Sequence, residues 1–157
     1  MAAGRLGGIA RHGMPRGPIE TLGRVTVTRS EGLHGDFRGA VRPGKSGRRQ
    51  ISLIEADSWH AAMADLGLTP EAAPAWHSRR ANLLIEGLRL PRRPGAVIAI
   101  GATLRIEVSQ ECDPCSRMEE ITPGLKAALT PDWRGGVLGK VLDEGEIAIG
   151  DEVRIEE

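Results

Sequence analysis

The chain has 157 residues, 40% of them hydrophobic and 27% charged, enough for one domain to bury a core without disulfide or metal staples. Lys plus Arg equals Asp plus Glu at 21 each, so net charge points to no partner, and one Phe, three Trp and no Tyr exclude a base-stacking nucleic-acid platform. No apolar run approaches a membrane span and no signal-peptide core is visible; two cysteines three residues apart suit a reducing compartment, so the expected location is cytoplasmic.

Residues 1–18 are rich in Gly and Arg, carry no acid and show no periodicity, which predicts a flexible N-terminal extension and leaves Met14 as a second possible start. Residues 19–157 then form a single domain. The stretch from Ile19 to Ser30 alternates in its second half, with Val25 and Val27 between polar residues, and reads as a strand. Glu31 to Gly47 is a long Gly-rich loop carrying His34, Asp36 and Arg38, either a surface loop or a wall of a site. Gln50 to Glu55 is a short apolar strand. Asp57 or Ser58 is expected to cap a helix running to Leu66, with Trp59, Ala62, Met63 and Leu66 on one face and Gly67 closing it.

A proline-rich connection from Thr69 to Ser78 leads to a strand over Ala81–Ile85, which holds Asn82, a residue type depleted in strands. Ala96–Ile100 and Thr103–Val108 form a hairpin through Gly101-Ala102. After the cysteines, Thr122 is expected to cap a helix with Pro123 at its first position and Leu129 near its end. Three short strands close the chain, at Val137–Leu142, Glu146–Ile149 and Asp151–Ile155. About seven short strands, few helices and frequent glycine turns predict a mainly β fold, a β-barrel with small helical insertions.

Two stretches are basic. Arg38, Arg42, Lys45, Arg48 and Arg49 lie between Phe37 and Gln50 without an acid, and five arginines lie between Arg79 and Arg93 against Glu86 alone. Brought together they would attract a small anion; apart they are solvated loops. Glu111-Cys112-Asp113-Pro114-Cys115-Ser116-Arg117-Met118 holds both cysteines. As half of a zinc site the pair needs two more ligands, and the four histidines are scattered. A thioredoxin-type redox pair would open a helix of a βαβ unit, whereas this pair follows a hairpin. The third possibility is one reactive thiol at Cys115, with Cys112 a supporting neighbour and Arg117 favouring the thiolate. Both could also be small buried residues.

The segments "GLHGDFRG", "RRQISLIEAD", "RRANLLIEGLRL", "PGAVIAIGATLRIEVSQECDPCSRM" and "WRGGVLGKVLDEGEIAIGDEV" stand in the order found in the MOSC domain, the molybdenum cofactor sulfurase C-terminal domain. The chain resembles that family from about Gly23 to Val153. The resemblance implies a Greek-key-like β-barrel whose defining cysteine, here Cys115, carries sulfur to the molybdenum of a pterin cofactor or ligates the metal. It implies a separate cysteine desulfurase or an electron-transfer protein as partner, while composition and hydropathy predict no nucleic-acid or membrane partner. Fused sulfurases draw on pyridoxal phosphate in an NifS-like domain, for which 157 residues leave no room, so pyridoxal phosphate is not expected in this chain. Relatives in the amidoxime-reducing branch reduce N-hydroxylated compounds and carry an Arg-Pro-Asn strand motif, where this chain has Arg80-Ala81-Asn82. A molybdenum pterin is an anion with a phosphate. Arg48, Arg79, Arg80 and Arg117 are therefore expected around it, with Asn82 as a hydrogen-bonding partner, His34 and Asp36 in the wall, and Cys115 as catalytic sulfur and metal ligand. The alternative is a metal-free interaction or sulfur-carrier module without catalysis of its own.

Overall fold

The computed structural model describes residues 3–41 and 47–156. In chain order the strands are β1 (Ala3–Arg11), β2 (Glu20–Leu22), β3 (Arg24–Thr28), β4 (Gly32–Leu33), β5 (Ile51–Glu55), β6 (Leu83–Glu86), β7 (Val97–Ile100), β8 (Leu104–Glu111), β9 (Val137–Asp143), β10 (Gly145–Ala148) and β11 (Glu152–Glu156). The helices are α1 (Ala56–Asp65), α2 (Met118–Ile121) and α3 (Leu125–Leu129), with 3₁₀ turns at Trp76–Arg79 and Pro131–Trp133. Seven strands close a barrel in the order β11-β7-β8-β9-β5-β6-β1, and β1 returns to β11 to complete the ring. The expected β-barrel is therefore present. The hairpin of β7 and β8 pairs Ile100 with Leu104.

The period-2 alternation of β5 and β6, the one parallel pair of the ring, sorts side chains into two cores. Ile51, Leu53, Leu83 and Ile85 point into the barrel, where they meet Ile98, Ile106 and Val153. Ile54 and Leu84 point outward and are covered by Trp59, Ala62 and Met63 of α1 and Leu125 and Leu129 of α3. Both faces of this wall are thus buried along part of its length, and Ser52 and Asn82, two residues earlier on the outward face, are left beside the helices. Strands β3, β4 and β10 make a small separate sheet whose Val25, Val27, Leu33 and Ile147 join the barrel core. The strand expected over Ile19–Ser30 is therefore two: β2 pairs with β1 and, past Gly23, β3 pairs with β10.

The N-terminal segment departs from expectation. Residues 3–11 are not a flexible extension: β1 pairs with β11 at Ala3–Arg5, with β6 at Arg5–Ile9 and with β2 at Ile9–Arg11. Leu6 and Ile9 are buried, and the register shifts between Leu6 and Gly8. That irregularity hides the alternation from the sequence. Its glycines allow close packing: a Cβ on Gly8 would lie 2.6 Å from the Trp76 ring.

The helix ends also differ in detail. Neither Asp57 nor Ser58 caps α1; Glu55 stands at its N-cap position, and its carboxylate accepts from Ser58 Oγ at 3.2 Å and from the Leu90 amide at 2.9 Å. The helix expected from Thr122 is the short α3, entered through Gly124 in the left-handed region. Glu119, not Thr122, serves its first amides, accepting from Gly124 and Lys126 at 2.9 and 3.0 Å. These hydrogen bonds hold the Glu119 carboxyl below the ordinary value. Among the described residues no helix is long and apolar enough to cross a membrane.

Candidate functional site

A cleft of about 530 Å³ opens on the outer barrel wall between β5, β9 and α2. Ser52, Asn82 and Leu138 form its floor. The segment after β1 contributes His12 and Arg16, the loop after β4 contributes Asp36 and Arg38, and Arg49 precedes β5. The lining continues with Arg79 and Arg80, then Cys112, Asp113, Cys115 and Arg117 of the loop from β8 to α2. The two basic stretches expected from the sequence thus meet at one cleft. Arg42 and Lys45, which belong to the first stretch, lie outside the described residues.

The two cysteines are free and differ in setting, Cys112 being partly buried and Cys115 exposed. Cys112 is anchored: its amide donates to the Gly136 carbonyl at 2.8 Å, and Arg79 Nη2 donates to its Sγ at 3.0 Å and its carbonyl at 3.4 Å. Gly135 lies so close beneath that a Cβ there would overlap the Cys112 carbonyl oxygen. Gly136, at φ +95°, packs against the Leu53 carbonyl in the same way. Arg79 itself is only 9% exposed, and its Nε has no hydrogen-bond partner. A buried guanidinium with an unsatisfied N–H costs stability unless something in the cleft answers it.

Arg80 sits in the left-handed region at φ 69°, the end of the 3₁₀ turn, and donates to the Gly17 carbonyl at 2.8 Å. That contact ties the segment after β1 to the cleft rim. Arg16, Arg38, Arg49 and Arg117 form no salt bridge among the described residues, so their donors are free to meet an anion. Asn82 is differently employed. Its Oδ1 accepts from the Ser52 amide at 3.0 Å and Ser52 Oγ at 3.2 Å, and its Nδ2 donates to the Ala10 carbonyl at 3.1 Å. It stitches β1 to β5 where the helices stop.

His12 and Asp36 are buried together. The Asp36 Oδ1 accepts from the His12 amide at 3.2 Å and lies 3.9 Å from the His12 Nδ1, while Oδ2 is buried without a partner. Burial pushes the His12 imidazole below its ordinary value; Asp36 opposes this, and Arg80 and Arg38 reinforce it. Glu111, just ahead of Cys112, is raised by burial first, then by the charge of Asp113 and a hydrogen bond with it, with Arg92 opposing.

Of the residues singled out from the sequence, the cleft brings together Cys115, Asp36, Arg79, Arg80, Asn82 and Arg117. It does not include His34 or Arg48. His34 is exposed, its ring 3.2 Å from Glu31 and its carbonyl accepting from Arg11. Arg48 is exposed outside the cleft, and its neighbour Arg49 faces in. His12 and Arg16 were missed because they sit in the segment expected to be flexible. The Arg79 contact to Cys112 had no signal in sequence, since the residues are 33 apart.

The geometry is thus an exposed thiol in an arginine-lined cleft on the wall of a closed seven-stranded barrel. The family model for the MOSC domain matches residues 15–154, and the chain belongs to that family. The match begins after β1, although β1 completes the ring. Among solved structures the chain is similar to the YUAD protein from Bacillus subtilis, with a TM-score of 0.76 and 18% identity over 98% of this chain and 95% of that one. It is similar also to YiiM from Escherichia coli, with a TM-score of 0.68 and 17% identity over 98% and 70%. YiiM from Geobacillus stearothermophilus gives 0.63 and 18% over 98% and 73%. At these identities the likeness concerns the fold. No curated protein gave a match.

Proposed function

We propose that the cleft holds a molybdenum-pterin cofactor by its anionic end and that Cys115 is the sulfur that ligates the metal or carries sulfur to it. The observation behind this is one juxtaposition: an exposed thiol shares a cleft with six arginines, none of which forms a salt bridge among the described residues, and only Arg79 and Arg80 of which are engaged in side-chain hydrogen bonds. The donor set suits such a group. Guanidiniums match a phosphate bidentately, a soft sulfur suits the metal or a persulfide, and the unanswered Arg79 Nε gains a partner. No three His, Cys, Asp or Glu side chains among the described residues could hold a metal alone, so a metal here would arrive with its own organic ligand. When bound, the cofactor would supply a metal centre able to exchange oxygen or sulfur.

The chain's own residues divide the remaining work. Arg16, Arg38, Arg49 and Arg117 supply the free donors, Arg79 fixes the Cys112 end of the loop, and Asn82 keeps the floor closed. Two free cysteines favour a reducing compartment, consistent with a cytoplasmic protein. The test is metal and sulfur analysis of protein made in a host that synthesises the cofactor, beside Cys115→Ala. Molybdenum retained by the wild type and lost in the variant makes Cys115 a ligand and directs assays to N-hydroxylated compounds, with electrons from a partner. Labile sulfur on Cys115 without molybdenum makes it a carrier fed by a cysteine desulfurase. Neither molybdenum nor labile sulfur, or equal amounts in both proteins, overturns the proposal.

A further inference from the structure

We propose that Cys112 is a second working sulfur of the cleft, one that discharges a persulfide on Cys115 as sulfide. The inference rests on the sulfur-carrying form of the function proposed above. It starts from the unequal settings of the two cysteines. Cys115 is exposed and follows Pro114, and its side chain makes no hydrogen bond among the described residues. Cys112 is fixed at three points, by the Gly136 carbonyl on its amide and by Arg79 on both its carbonyl and its Sγ. Reactive cysteines sit in electropositive, partly exposed surroundings, and Cys112 has both, from a permanent cation at 3.0 Å in a cleft open to solvent.

Arg79 is itself 9% exposed and keeps an unpartnered Nε at the same cleft. A buried guanidinium is costly, and a purely structural cysteine gives no return for it. A guanidinium aimed at a sulfur that gains and loses negative charge during a reaction does. Only Asp113 and Pro114 separate the two cysteines, a spacing that lets one sulfur reach the other within a single loop.

The step balances without an added oxidant. The Cys112 sulfur attacks the inner sulfur of the Cys115 persulfide; a Cys112–Cys115 bond forms, and the bond from Cys115 Sγ to the terminal sulfur breaks. Cys112 Sγ is oxidised from thiol to disulfide level, Cys115 Sγ keeps the level it had in the persulfide, the terminal sulfur is reduced to sulfide, and the thiol proton leaves with it as hydrogen sulfide. Sulfide is thus released inside the arginine-lined cleft, and a dithiol reductant restores both thiols for the next round.

Inorganic polysulfide is the probe. Reduced wild type, Cys112→Ser, Cys112→Ala and Arg79→Lys are loaded, freed of excess reagent, and followed by intact mass and by free sulfide. The wild type should gain one sulfur atom, then lose it with one sulfide per chain and finish two hydrogens lighter. Both Cys112 variants should hold the added sulfur, releasing sulfide at least about tenfold more slowly. Arg79→Lys keeps a charge but loses the planar fork, and should fall between. The wild-type arm needs no variant, because the tryptic peptide spanning residues 106–117 holds both cysteines and must be internally cross-linked after discharge. A reduced peptide accompanied by full sulfide release, or Cys112 variants that discharge as fast as wild type, overturns the role of Cys112. Cys112 variants that never gain sulfur at Cys115 instead overturn the carrier function and this step with it.

Discussion

Asn82 offers the sharpest test of how the cleft is built. The sequence suggested a ligand-binding residue, whereas the side chain spends three hydrogen bonds inside the protein, on Ser52 and on the Ala10 carbonyl. Asn82→Ala removes them and leaves two backbone groups in the wall, the Ser52 amide and the Ala10 carbonyl, short of a partner. Each such group costs about 1–3 kcal/mol when buried, and the Ser52 amide is only partly so, giving roughly 2–4 kcal/mol in all. That is a sizeable part of the ~5–15 kcal/mol that holds a domain together, and corresponds to a fall of about 4–16 °C in Tm at this chain length. Asn82→Asp should do worse, because it sets a carboxylate oxygen against the Ala10 carbonyl. Urea unfolding of the three proteins without added ligand provides the measurement. An Asn82→Ala midpoint corresponding to less than about 0.5 kcal/mol of loss, the range of ordinary surface changes, would refute the structural role and return Asn82 to the ligand.

Two further outcomes follow from the N-terminal segment. His12 is buried with its affinity for a proton lowered, so the unfolded chain binds that proton more readily. Its contribution is complete above the unfolded value of about 6.5 and is lost as pH falls through the folded one. Asp36 facing it limits the effect, and Arg80 and Arg38 enlarge it. His12→Gln should therefore narrow the difference between urea midpoints at neutral and mildly acid pH; an unchanged difference refutes the assignment. Deleting residues 3–11 should open the ring between β6 and β11, and the product should fail to give cooperative unfolding and should aggregate in size-exclusion chromatography. A cooperative monomer would show that β1 is dispensable.

Most of the ring was readable because its strands carry ordinary signals. Val97–Ile100, Leu104–Glu111 and Val137–Asp143 are apolar or alternating runs bounded by glycine turns. β1 was not readable, since its glycines and the register shift beyond Leu6 break the alternation by which strands are found in sequence. His12 and Arg16 were lost with it. In the cleft, chemistry was legible and placement was not. Cys115 and the arginines announced a sulfur and an anion, but whether Arg48 or Arg49 faces inward depends on the path of one loop. The same holds for His34 and Asp36, two residues apart on one Gly-rich segment, of which only Asp36 turns in. The strand expected over Ala81–Ile85 begins only at Leu83, so Asn82, a residue type disfavoured in strands, stands just ahead of it and bridges β1 to β5, a role that local sequence does not describe.

The pairing of Ala3 with Arg154 gives the barrel a particular order of assembly. Its first strand and its last, one near each end of the described chain, are neighbours, so the ring cannot close while the ribosome is still making β11. During synthesis β1 can dock only on β6 and β2, and its other edge, at Ala3–Arg5, stays open as a template for strands of other nascent chains. Closure then waits for a contact between residues 151 positions apart, a slow step for a chain of this size. A circular permutant that joins the described ends and opens the chain at an exposed turn such as Gly67 should make those two strands in immediate succession, and so refold faster and with less aggregation than the natural order.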